Sequence, residues 1–600
     1  QDEIDATTPK ELNLEELTFL DPACGSGHIL VEAYDILKEI YLERGYRTRE
    51  IPRLILEKNL YGLDIDDRAA QLACFAVLMR ARKDDRRLFN RDNLRLNIMS
   101  IVETKGFDKN KLLDAVSKRD GGKGVWIWID ELLELFENAK IFGSLITVPD
   151  ELADKLNDIK SVIESDQISN DDIFNYIAVE QLESLRPIIM QTQILAELYD
   201  CVVANPPYMG GSGMNPMLKT FLKNHFADVK SDLFSAFIVR NTFFALPKGQ
   251  LGFMSPFVWM FISSYEKLRD FLINQKTFTS LIQLEYSGFD GATVPICTFT
   301  IENTNQAAYK GGYVRLSAFR GPENQSPKTL EAIKNPDCDW FFRASSIDFK
   351  KIPGSPIAYW ITDKVKDAYE NNEFLLGKIV KSEGKNVTTN NGKFIRFFWE
   401  VDKSYVGAKC KWFPIAMGGP FRRWAGNIIN VIDWSQSTRE YYRQANAGRI
   451  IREEFWYKPG VTWGKISSSR PSFRELSIGE MYQETAVLQE SEQDVYGLLV
   501  FLNSKISTHF LSFLSPTLNY QLEDIKAIPI IHWEKIKKIT YDNVKQILTI
   551  SKQDWNSFEY SLAFKTSPLV NIPNATSRIR DAYDLVIQKW QKIILKTKLL

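Results

Sequence analysis

The chain has 600 residues, a formal net charge of −1 and 44% hydrophobic residues, which is enough apolar material for several packed cores. Its six cysteines form no Cys-x-x-Cys pair and it has only four histidines, so neither a zinc site nor a disulfide framework is indicated. No apolar run reaches the roughly 18 residues of a membrane span, and residues 1–14 lack a signal-peptide core. These features predict a large cytoplasmic protein without a metal site.

The first predicted element is an apolar strand over residues 17–21, which leads into the turn DPACGSG (residues 21–27) and then a helix over 29–44. Gly25 and Gly27 let the backbone approach a ligand closely, and the helix start offers free N–H groups. The third glycine of the dinucleotide fingerprint is missing. The turn therefore predicts a site for a sulfonium nucleoside. Its predicted contacts are Asp21, Ala23, Gly25 and Gly27.

A second predicted strand, over residues 58–65, also ends in acidic side chains. In doubly wound folds the acid after the second strand accepts hydrogen bonds from ribose hydroxyls. Asp64 is therefore the predicted ribose ligand, with Ile65 as a neighbouring cofactor contact. Asp66 is a second candidate, but it directly precedes a predicted helix and could be the N-cap of that helix.

A third predicted strand, over residues 94–101, is followed by a strongly acidic segment, 103–198. Between Asp130 and Asp200 there are 16 acidic and 4 basic residues. The spacing of leucine and isoleucine within the segment indicates helices. We therefore expect a helical insertion whose negative charge repels DNA.

The fourth predicted strand, over residues 199–204, ends in the tetrapeptide NPPY (residues 205–208). The two prolines stiffen the turn that follows the strand. The Asn205 side-chain oxygen and the Pro206 carbonyl oxygen can each accept one N–H of an exocyclic amine, and the Tyr208 ring can stack on the base. These three residues are therefore predicted to be catalytic, with Asn205 also contacting the cofactor.

Later elements are predicted to complete an α/β sheet of the doubly wound type. They are a helix over 232–246 and strands over 251–255, 281–286 and 297–301. The predicted catalytic domain covers residues 1–320, with 103–198 as its insertion. The remaining predicted segments are a linker over 321–357, a mixed α/β target-recognition domain over 358–535 and a helical segment over 536–600.

Positive charge is concentrated in the predicted recognition domain, where Lys403–Arg474 holds 13 basic and 4 acidic residues. Basic side chains release counterions from phosphates and so give affinity without sequence information. Most of the aromatic residues interleaved with them are expected to pack in a core. Double-stranded DNA is therefore the predicted partner. The predicted DNA contacts are Arg422, Arg423, Arg439, Arg443 and Lys465.

The three motifs DPACGSG, GLDID and NPPY together resemble S-adenosylmethionine-dependent amino-methyltransferases, in the gamma order of the DNA adenine-N6 enzymes. NPPYMGG, GPFRRW, VTWGKI and PTLNYQ resemble, more narrowly, the PglX-type methyltransferases of BREX phage-defence systems. The resemblance covers nearly the whole chain. It implies methylation of a flipped adenine, with Phe289 closing the second face of the base. It also implies other defence subunits as partners and an interior start, because family members carry segments upstream and downstream.

Two other functions fit the same motifs. NPPY can hold any planar amide, so N5-methylation of a protein glutamine is one alternative. A catalytically incomplete DNA-recognition subunit of a defence complex is the other. The first has no need of a basic, aromatic C-terminal region, and the intact pocket motifs argue against the second.

Overall fold

The computed structural model forms two compact units. Gln1–Lys350 with Gly354–Trp360 make up the first, and Lys351–Pro353 with Ile361–Leu600 make up the second. The residues that the structure describes are 12–90, 94–117, 121–164, 182–286, 288, 294–369, 375–382, 384–407, 410–445, 448–467, 470–515, 519–570 and 578–599.

A nine-stranded sheet forms the centre of the first unit. Its strands are β1 (Phe19–Asp21), β2 (Leu60–Asp64), β3 (Asn97–Ser100), β4 (Tyr199–Ala204), β5 (Ala245–Pro256), β6 (Thr277–Gln283), β7 (Ile296–Glu302), β8 (Lys310–Arg315) and β9 (Phe341–Ser345). They lie in the order β3-β2-β1-β4-β5-β7-β6-β8-β9. β1 to β5 run parallel to one another, whereas β7 is antiparallel to β5 and β6. The doubly wound α/β sheet predicted from the sequence is confirmed.

The central strands are covered by helices, and the face that Leu20 and Val202 share as register partners is completely buried. Leu20 in β1 and Val202 in β4 have no exposed surface. The helices of this unit are α1 (His28–Glu43), α2 (Ile51–Leu54), α3 (Asp67–Asp84), α4 (Lys109–Ser117), α5 (Gly122–Leu135), α6 (Ala139–Phe142), α7 (Asp150–Glu164), α8 (Leu185–Ala196), α9 (Pro216–His225), α10 (Leu233–Phe244), α11 (Glu266–Gln275) and α12 (Pro322–Lys334).

The acidic segment between β3 and β4 contains helices α4 to α8, and a buried arginine ties it to the rest of the unit. The Arg240 guanidinium, in α10, donates to the carbonyl oxygens of Ser144, Ile146 and Leu195 at 2.8–3.2 Å. Burial lowers the pKa of Arg240 to about 9. Because a buried cation is costly unless it is hydrogen-bonded, these three bonds fix the insertion against α10.

The linker predicted over residues 321–357 differs from the structure. Helix α12 and strand β9 occupy most of it, and β9 pairs antiparallel with β8, with Phe342 opposite Tyr313. These elements extend the sheet, so the first unit continues to residue 360 instead of ending near 320. Pro322 is compatible with the helix because it lies at its first turn, where no intrahelical N–H bond is lost.

The second unit contains two small sheets and a helical part. Its strands are β10 (Ile395–Phe397), β11 (Trp412–Ala416), β12 (Asn430–Asp433), β13 (Gly460–Trp463), β14 (Phe473–Leu476), β15 (Met481–Tyr482) and β16 (Ala486–Leu488). They form the sheets β10-β12-β11-β15 and β14-β13-β16. Its helices are α13 (Asp363–Asp367), α14 (Leu376–Ile379), α15 (Asn391–Phe394), α16 (Gln436–Gln444), α17 (Glu492–Leu502), α18 (Lys505–Leu514), α19 (Leu522–Lys526), α20 (Trp533–Trp555) and α21 (Ile579–Leu599).

The segment predicted as a separate helical region over 536–600 belongs to this second unit. Helix α20 buries Val544, Ile547 and Leu548, and Lys537 in it forms an ion pair with Asp494 of α17 at 2.9 Å. Within the described ranges no single helix is long and apolar enough to cross a membrane. The bent pair α17 and α18 passes that test jointly, by length and composition alone.

Candidate active site

The ends of three adjacent strands bring the predicted site residues to one edge of the sheet. Asp21, the last residue of β1, lies opposite Gly62 of β2, and β1 also pairs in parallel with β4. Neighbouring strands are about 4.8 Å apart. Asp21, Asp64 and Asn205 therefore follow adjacent strands at the same carboxyl edge, which is where open α/β sheets bind ligands.

The Asp21 carboxyl is buried with one oxygen unused. The residue is 1% exposed, and Oδ1 accepts the N–H of Ala23 at 3.1 Å. No donor among the described residues reaches Oδ2. Burial, reinforced by the charge of Asp64, raises the pKa of Asp21 to about 7. Since a buried polar atom without a partner costs about 1–3 kcal/mol, Oδ2 marks a position for a donor from a ligand.

The two glycines of the turn after β1 differ in the space around them. Gly27 has φ +84°, and a Cβ atom there would lie 2.8 Å from Cα of Ala73 in α3, so only glycine allows this packing. Gly25 has φ +53°, and a Cβ atom there would have nothing within 4 Å. The turn is thus packed closely against α3 at Gly27 and leaves open space at Gly25.

Asp64 and Asp66 have separate functions. Asp64 Oδ2 accepts the Gly25 N–H at 2.9 Å, and Oδ1 accepts the Asp66 N–H at 2.8 Å. Each carboxylate oxygen has a further lone pair for a ribose hydroxyl. The Asp66 side chain accepts the N–H groups of Arg68 and Ala69 and caps α3, which is the alternative that the sequence left open.

The insertion contributes residues to this edge that the sequence analysis did not single out. Lys140 donates to the Ile65 carbonyl oxygen at 2.7 Å, and Ser144 Oγ donates to the Pro22 carbonyl oxygen. A Cβ atom on Gly143 would lie 2.8 Å from Cγ2 of Ile65, whose side chain is 49% exposed. Residues 140–144 therefore support the loops after β1 and β2. No local pattern signals this role, because the contacts span large sequence separations.

The Asn205 side chain is exposed just beyond β4. Its Oδ1 accepts a hydrogen bond from the Tyr208 hydroxyl at 3.0 Å, and that hydroxyl also lies 3.4 Å from the Met254 carbonyl oxygen. Burial raises the pKa of Tyr208 to about 12, so the hydroxyl remains a donor near neutral pH. Within the described part of the chain nothing donates to the Pro206 carbonyl oxygen. Asn205 is therefore an exposed residue with an amide oxygen at this strand end, whereas Pro206 beside it is buried.

Asp232, which the sequence analysis left unassigned, holds the loop that follows Tyr208. Its Oδ1 accepts the N–H groups of Met209, at 2.9 Å, and Phe234, at 3.3 Å, while the Leu233 N–H donates to the Met209 carbonyl oxygen. Burial raises the pKa of Asp232. An aspartate before an apolar helix is a readable N-cap signal. The hydrogen bond that Asp232 accepts from Met209, in the loop after Tyr208, gives no such signal in the sequence.

Phe289, implied by resemblance to close the second face of the base, lies outside the described residues.

In the second unit, Arg422, which was predicted to contact DNA, pairs with an acidic side chain of the same chain. Its two Nη atoms donate to Asp554 Oδ2 at 2.8 and 3.0 Å, and its guanidinium lies 5.0 Å from the Trp555 ring centroid. The side chain is 21% exposed. Arg422 therefore joins the GPFRRW loop to helix α20, and its contact with DNA stays a prediction.

The other four predicted DNA contacts fall into two groups. Arg443 pairs with Glu453 at 2.7 Å and Lys465 with Glu484 at 2.8 Å. Both basic side chains are exposed, although Glu484 is partly buried, so exchanging the carboxylate for a phosphate costs each of them little. Arg423 and Arg439 form no ion pair with a carboxylate of the described residues, and each lies near an aromatic ring instead.

The doubly wound sheet and the three strand-end motifs are similar to those of known methyltransferases. Residues 58–289 match the family described as the Eco57I restriction-modification methylase, and residues 7–104 match the MmeI DNA-methyltransferase domain. A solved structure of the type IIL restriction-modification enzyme MmeI in complex with DNA has a TM-score of 0.50 and 14% identity, covering 95% of this chain and 69% of that one. That similarity supports the fold.

Two curated relatives make the assignment more specific. The chain is 37% identical to the adenine-specific methyltransferase BrxX of Escherichia coli O9:H4 (strain HS), over 95% of this chain and 48% of that protein. It is 32% identical to the adenine-specific methyltransferase PglX of Lacticaseibacillus casei (strain Zhang), over 99% of this chain and 50% of that protein. The predicted resemblance to PglX-type methyltransferases is confirmed, and the chain spans about half the length of these relatives.

Proposed function

We propose that the chain is a site-specific DNA adenine-N6 methyltransferase that uses S-adenosylmethionine and acts in bacterial phage defence. One observation carries the proposal: the exposed Oδ1 of Asn205, held by Tyr208, extends from the strand next to the one that ends at the unpaired Oδ2 of Asp21. An acceptor for an amine substrate and an acceptor for a cofactor amine are thus neighbours on one edge. The names of the curated relatives agree with this chemistry.

The residues at the first two strand ends suit S-adenosylmethionine, which when bound supplies a methyl group on a positively charged sulfur. Asp21 Oδ2 would accept an N–H of the methionine amine, satisfying its buried oxygen. The Asp64 carboxylate would accept the ribose hydroxyls, and the exposed Ile65 side chain would pack on the adenine ring. The open space at Gly25 leaves room beside the carboxylate.

The NPPY residues position the target amine and stabilise its charge. Asn205 Oδ1 and the Pro206 carbonyl oxygen would accept its two N–H groups and align the nitrogen lone pair with the methyl carbon. Methyl transfer would break the methyl–sulfur bond, releasing a neutral thioether, as the nitrogen–carbon bond forms. These two oxygens would stabilise the positive charge passed to the amine until it loses a proton to water. The Tyr208 ring would stack on the flipped base, with Phe289 proposed for its other face.

The basic recognition segment of the second unit supplies the proposed contacts to double-stranded DNA. Sequence-independent affinity would come from cations without an internal carboxylate, such as Arg423 and Arg439. Other defence subunits are proposed as further partners, because the chain resembles the PglX-type methyltransferases of phage-defence systems.

The proposal is tested by incubating the chain with methyl-labelled S-adenosylmethionine and unmethylated bacterial DNA. Label in DNA is the expected result. Label in protein would support glutamine methylation instead, and DNA binding without any label would support a recognition subunit. The matched control is the Asn205→Ala chain, which should bind the same DNA and transfer no label.

A further inference from the structure

We propose that Lys140 and Phe142, in the acidic insertion of the first unit, are positioning residues for methyl transfer. Lys140 holds the loop after β2, where the cofactor is proposed to bind, and Phe142 holds helix α9, which follows the loop after Tyr208. The inference rests on the proposed function and extends it, because the sequence analysis expected this insertion only to repel DNA.

Lys140 contacts the backbone of the proposed cofactor loop. Its Nζ donates to the Ile65 carbonyl oxygen at 2.7 Å and pairs with Asp67 Oδ1 at 2.6 Å. The Lys140 side chain is only 30% exposed, so these bonds are partly shielded from water. Ile65 is the proposed contact of the cofactor adenine, and Asp64 before it is the proposed ribose ligand. Lys140 therefore fixes the backbone that places both cofactor contacts.

Phe142, two residues further on, contacts helix α9 instead. Its ring stacks on the ring of Phe221, with centroids 4.2 Å apart and planes inclined by 15°. Both side chains are half-buried. Because stacked rings have a preferred geometry as well as buried area, this pair fixes the position of α9 against the insertion.

Helix α9 in turn holds one end of the loop that follows Tyr208. Asn215 caps the helix by accepting the Leu218 N–H at 2.8 Å, and Asp232 holds the other end of the loop by accepting the Met209 N–H. A shift of α9 would therefore displace the loop next to the residue that orients the Asn205 amide.

The insertion segment 140–144 thus connects the loops after three adjacent strands. Ser144 Oγ donates to the Pro22 carbonyl oxygen after β1, and the Ser144 carbonyl oxygen accepts the Arg240 Nε–H at 3.1 Å, which anchors the segment to α10. Methyl transfer needs the amine nitrogen in line with the methyl carbon, and a misplacement of about 1 Å can reduce the rate about 100-fold. A single segment that spaces the cofactor loops from the amine loop sets this alignment.

The first test is cofactor affinity, measured by isothermal titration with S-adenosylmethionine. Lys140→Met keeps the aliphatic part of the side chain and removes both polar contacts, so we expect a dissociation constant about fivefold higher, with duplex affinity unchanged. The control Lys155→Met removes an exposed ion pair with Asp158 elsewhere in the insertion and should keep the wild-type affinity. Equal affinities of the wild-type chain and Lys140→Met would overturn the role of Lys140.

The second test is the rate of methyl transfer with S-adenosylmethionine and duplex DNA both saturating. Phe142→Ala should lower kcat about tenfold while the dissociation constants of cofactor and duplex stay within about twofold of wild type. Phe142→Leu retains an apolar contact with Phe221 and should recover part of the rate.

A matched control separates alignment from stability. Phe319→Ala breaks another aromatic pair of the same unit, that of Phe319 with Trp340, whose centroids are 5.0 Å apart. It should lower the melting temperature as Phe142→Ala does and leave kcat unchanged well below that temperature. A wild-type kcat in Phe142→Ala, or an equal loss of kcat in Phe319→Ala, would overturn the role of Phe142.

The positioning roles and the proposed function fail separately. If the wild-type chain methylates no DNA, the proposed function fails, and the titration of Lys140→Met still supports or refutes the cofactor-loop contact by binding alone. If the wild-type chain methylates DNA and both variants match its cofactor affinity and its rate, the proposed function stands and the positioning roles are refuted.

Discussion

The Tyr208 hydroxyl donates a hydrogen bond to the Asn205 side-chain oxygen across 3.0 Å. This bond fixes the rotation of the amide by holding its oxygen, and not its nitrogen, toward the Tyr208 hydroxyl. It uses one lone pair of Oδ1 and leaves the other for the substrate amine. Tyr208 is thus proposed to orient the catalytic amide as well as to stack on the base.

Tyr208→Phe separates these two roles, because it keeps the ring and removes the hydroxyl. A hydrogen bond of this kind contributes about 1 kcal/mol, so we expect kcat to fall about fivefold with an unchanged KM for DNA. Tyr208→Ala should lose a further about 1–3 kcal/mol of stacking and raise KM as well. Steady-state kinetics on one duplex give both values. Equal effects of the two substitutions would contradict the orienting role.

Asp21→Asn should remove a pH dependence of cofactor binding. A carboxyl whose folded-state pKa is raised favours the folded state only when protonated, so the free energy of unfolding should fall as pH rises from about 4 toward 7. The ionised form pairs with the cofactor amine, so affinity for S-adenosylmethionine should rise over the same interval as it approaches pH 7.

Isothermal titration of both proteins between pH 5.5 and 8, at about half-unit intervals, checks this. The amine of S-adenosylmethionine titrates identically in the wild-type and Asp21→Asn experiments, so its contribution to the pH dependence cancels in the comparison. The wild-type profile should rise toward pH 7 and the Asp21→Asn profile should lack that rise. Parallel profiles would place the amine elsewhere.

Arg422→Ala should lower stability without changing the electrostatics of DNA binding. It removes a two-donor ion pair with Asp554 and a contact with the Trp555 ring, together about 1–2 kcal/mol of the free energy of unfolding. Urea unfolding of Arg422→Ala, Asp554→Ala and the double variant should give a coupling energy of about 1 kcal/mol. A smaller salt dependence of DNA binding in Arg422→Ala would show instead that Arg422 contacts DNA.

Asp232→Ala should loosen the NPPY loop, because Met209 and the start of α10 lose a shared acceptor. We expect a melting temperature lower by a few degrees and kcat lower by about tenfold, since small displacements of a positioned group reduce rate strongly. Asp232→Asn retains an acceptor oxygen and should recover most of the activity. If both substitutions reduce kcat equally, catalysis requires the negative charge of Asp232 and not the hydrogen bonds that it accepts from Met209 and the start of α10.

The motifs at strand ends were predictable because each joins a short apolar run to a polar turn within one stretch of sequence. The predicted strand over 199–204 coincides with β4, and the alternatives for Asp66 were stated correctly. β8 and β9 were not predicted. Gly311 and Gly312 weaken the strand signal in β8, and β9 is stabilised by pairing with β8.

Other elements depended on contacts between distant residues. β5 begins at Ala245, well before the predicted strand over 251–255, and its pairing with β4 shifts register between Tyr199 and Cys201. Lys140 and Ser144 reach the loops after β2 and β1 only because Arg240 ties the insertion against α10. The basic composition of the second unit indicated a surface for phosphates, but which arginines have internal partners, such as Asp554 for Arg422, requires the folded structure.

The central claim is that Asn205 positions adenine N6 to accept the methyl group of S-adenosylmethionine, and nucleoside analysis of treated DNA tests it most directly. Unmethylated duplex is incubated with the chain and S-adenosylmethionine, digested, and assayed for N6-methyladenine by mass spectrometry. The wild-type chain should produce N6-methyladenine, and Asn205→Ala should reduce the rate by at least about 100-fold while binding DNA within a few fold of wild type. Equal N6-methyladenine from both proteins, or none from the wild-type chain on DNA that it binds, would contradict the account.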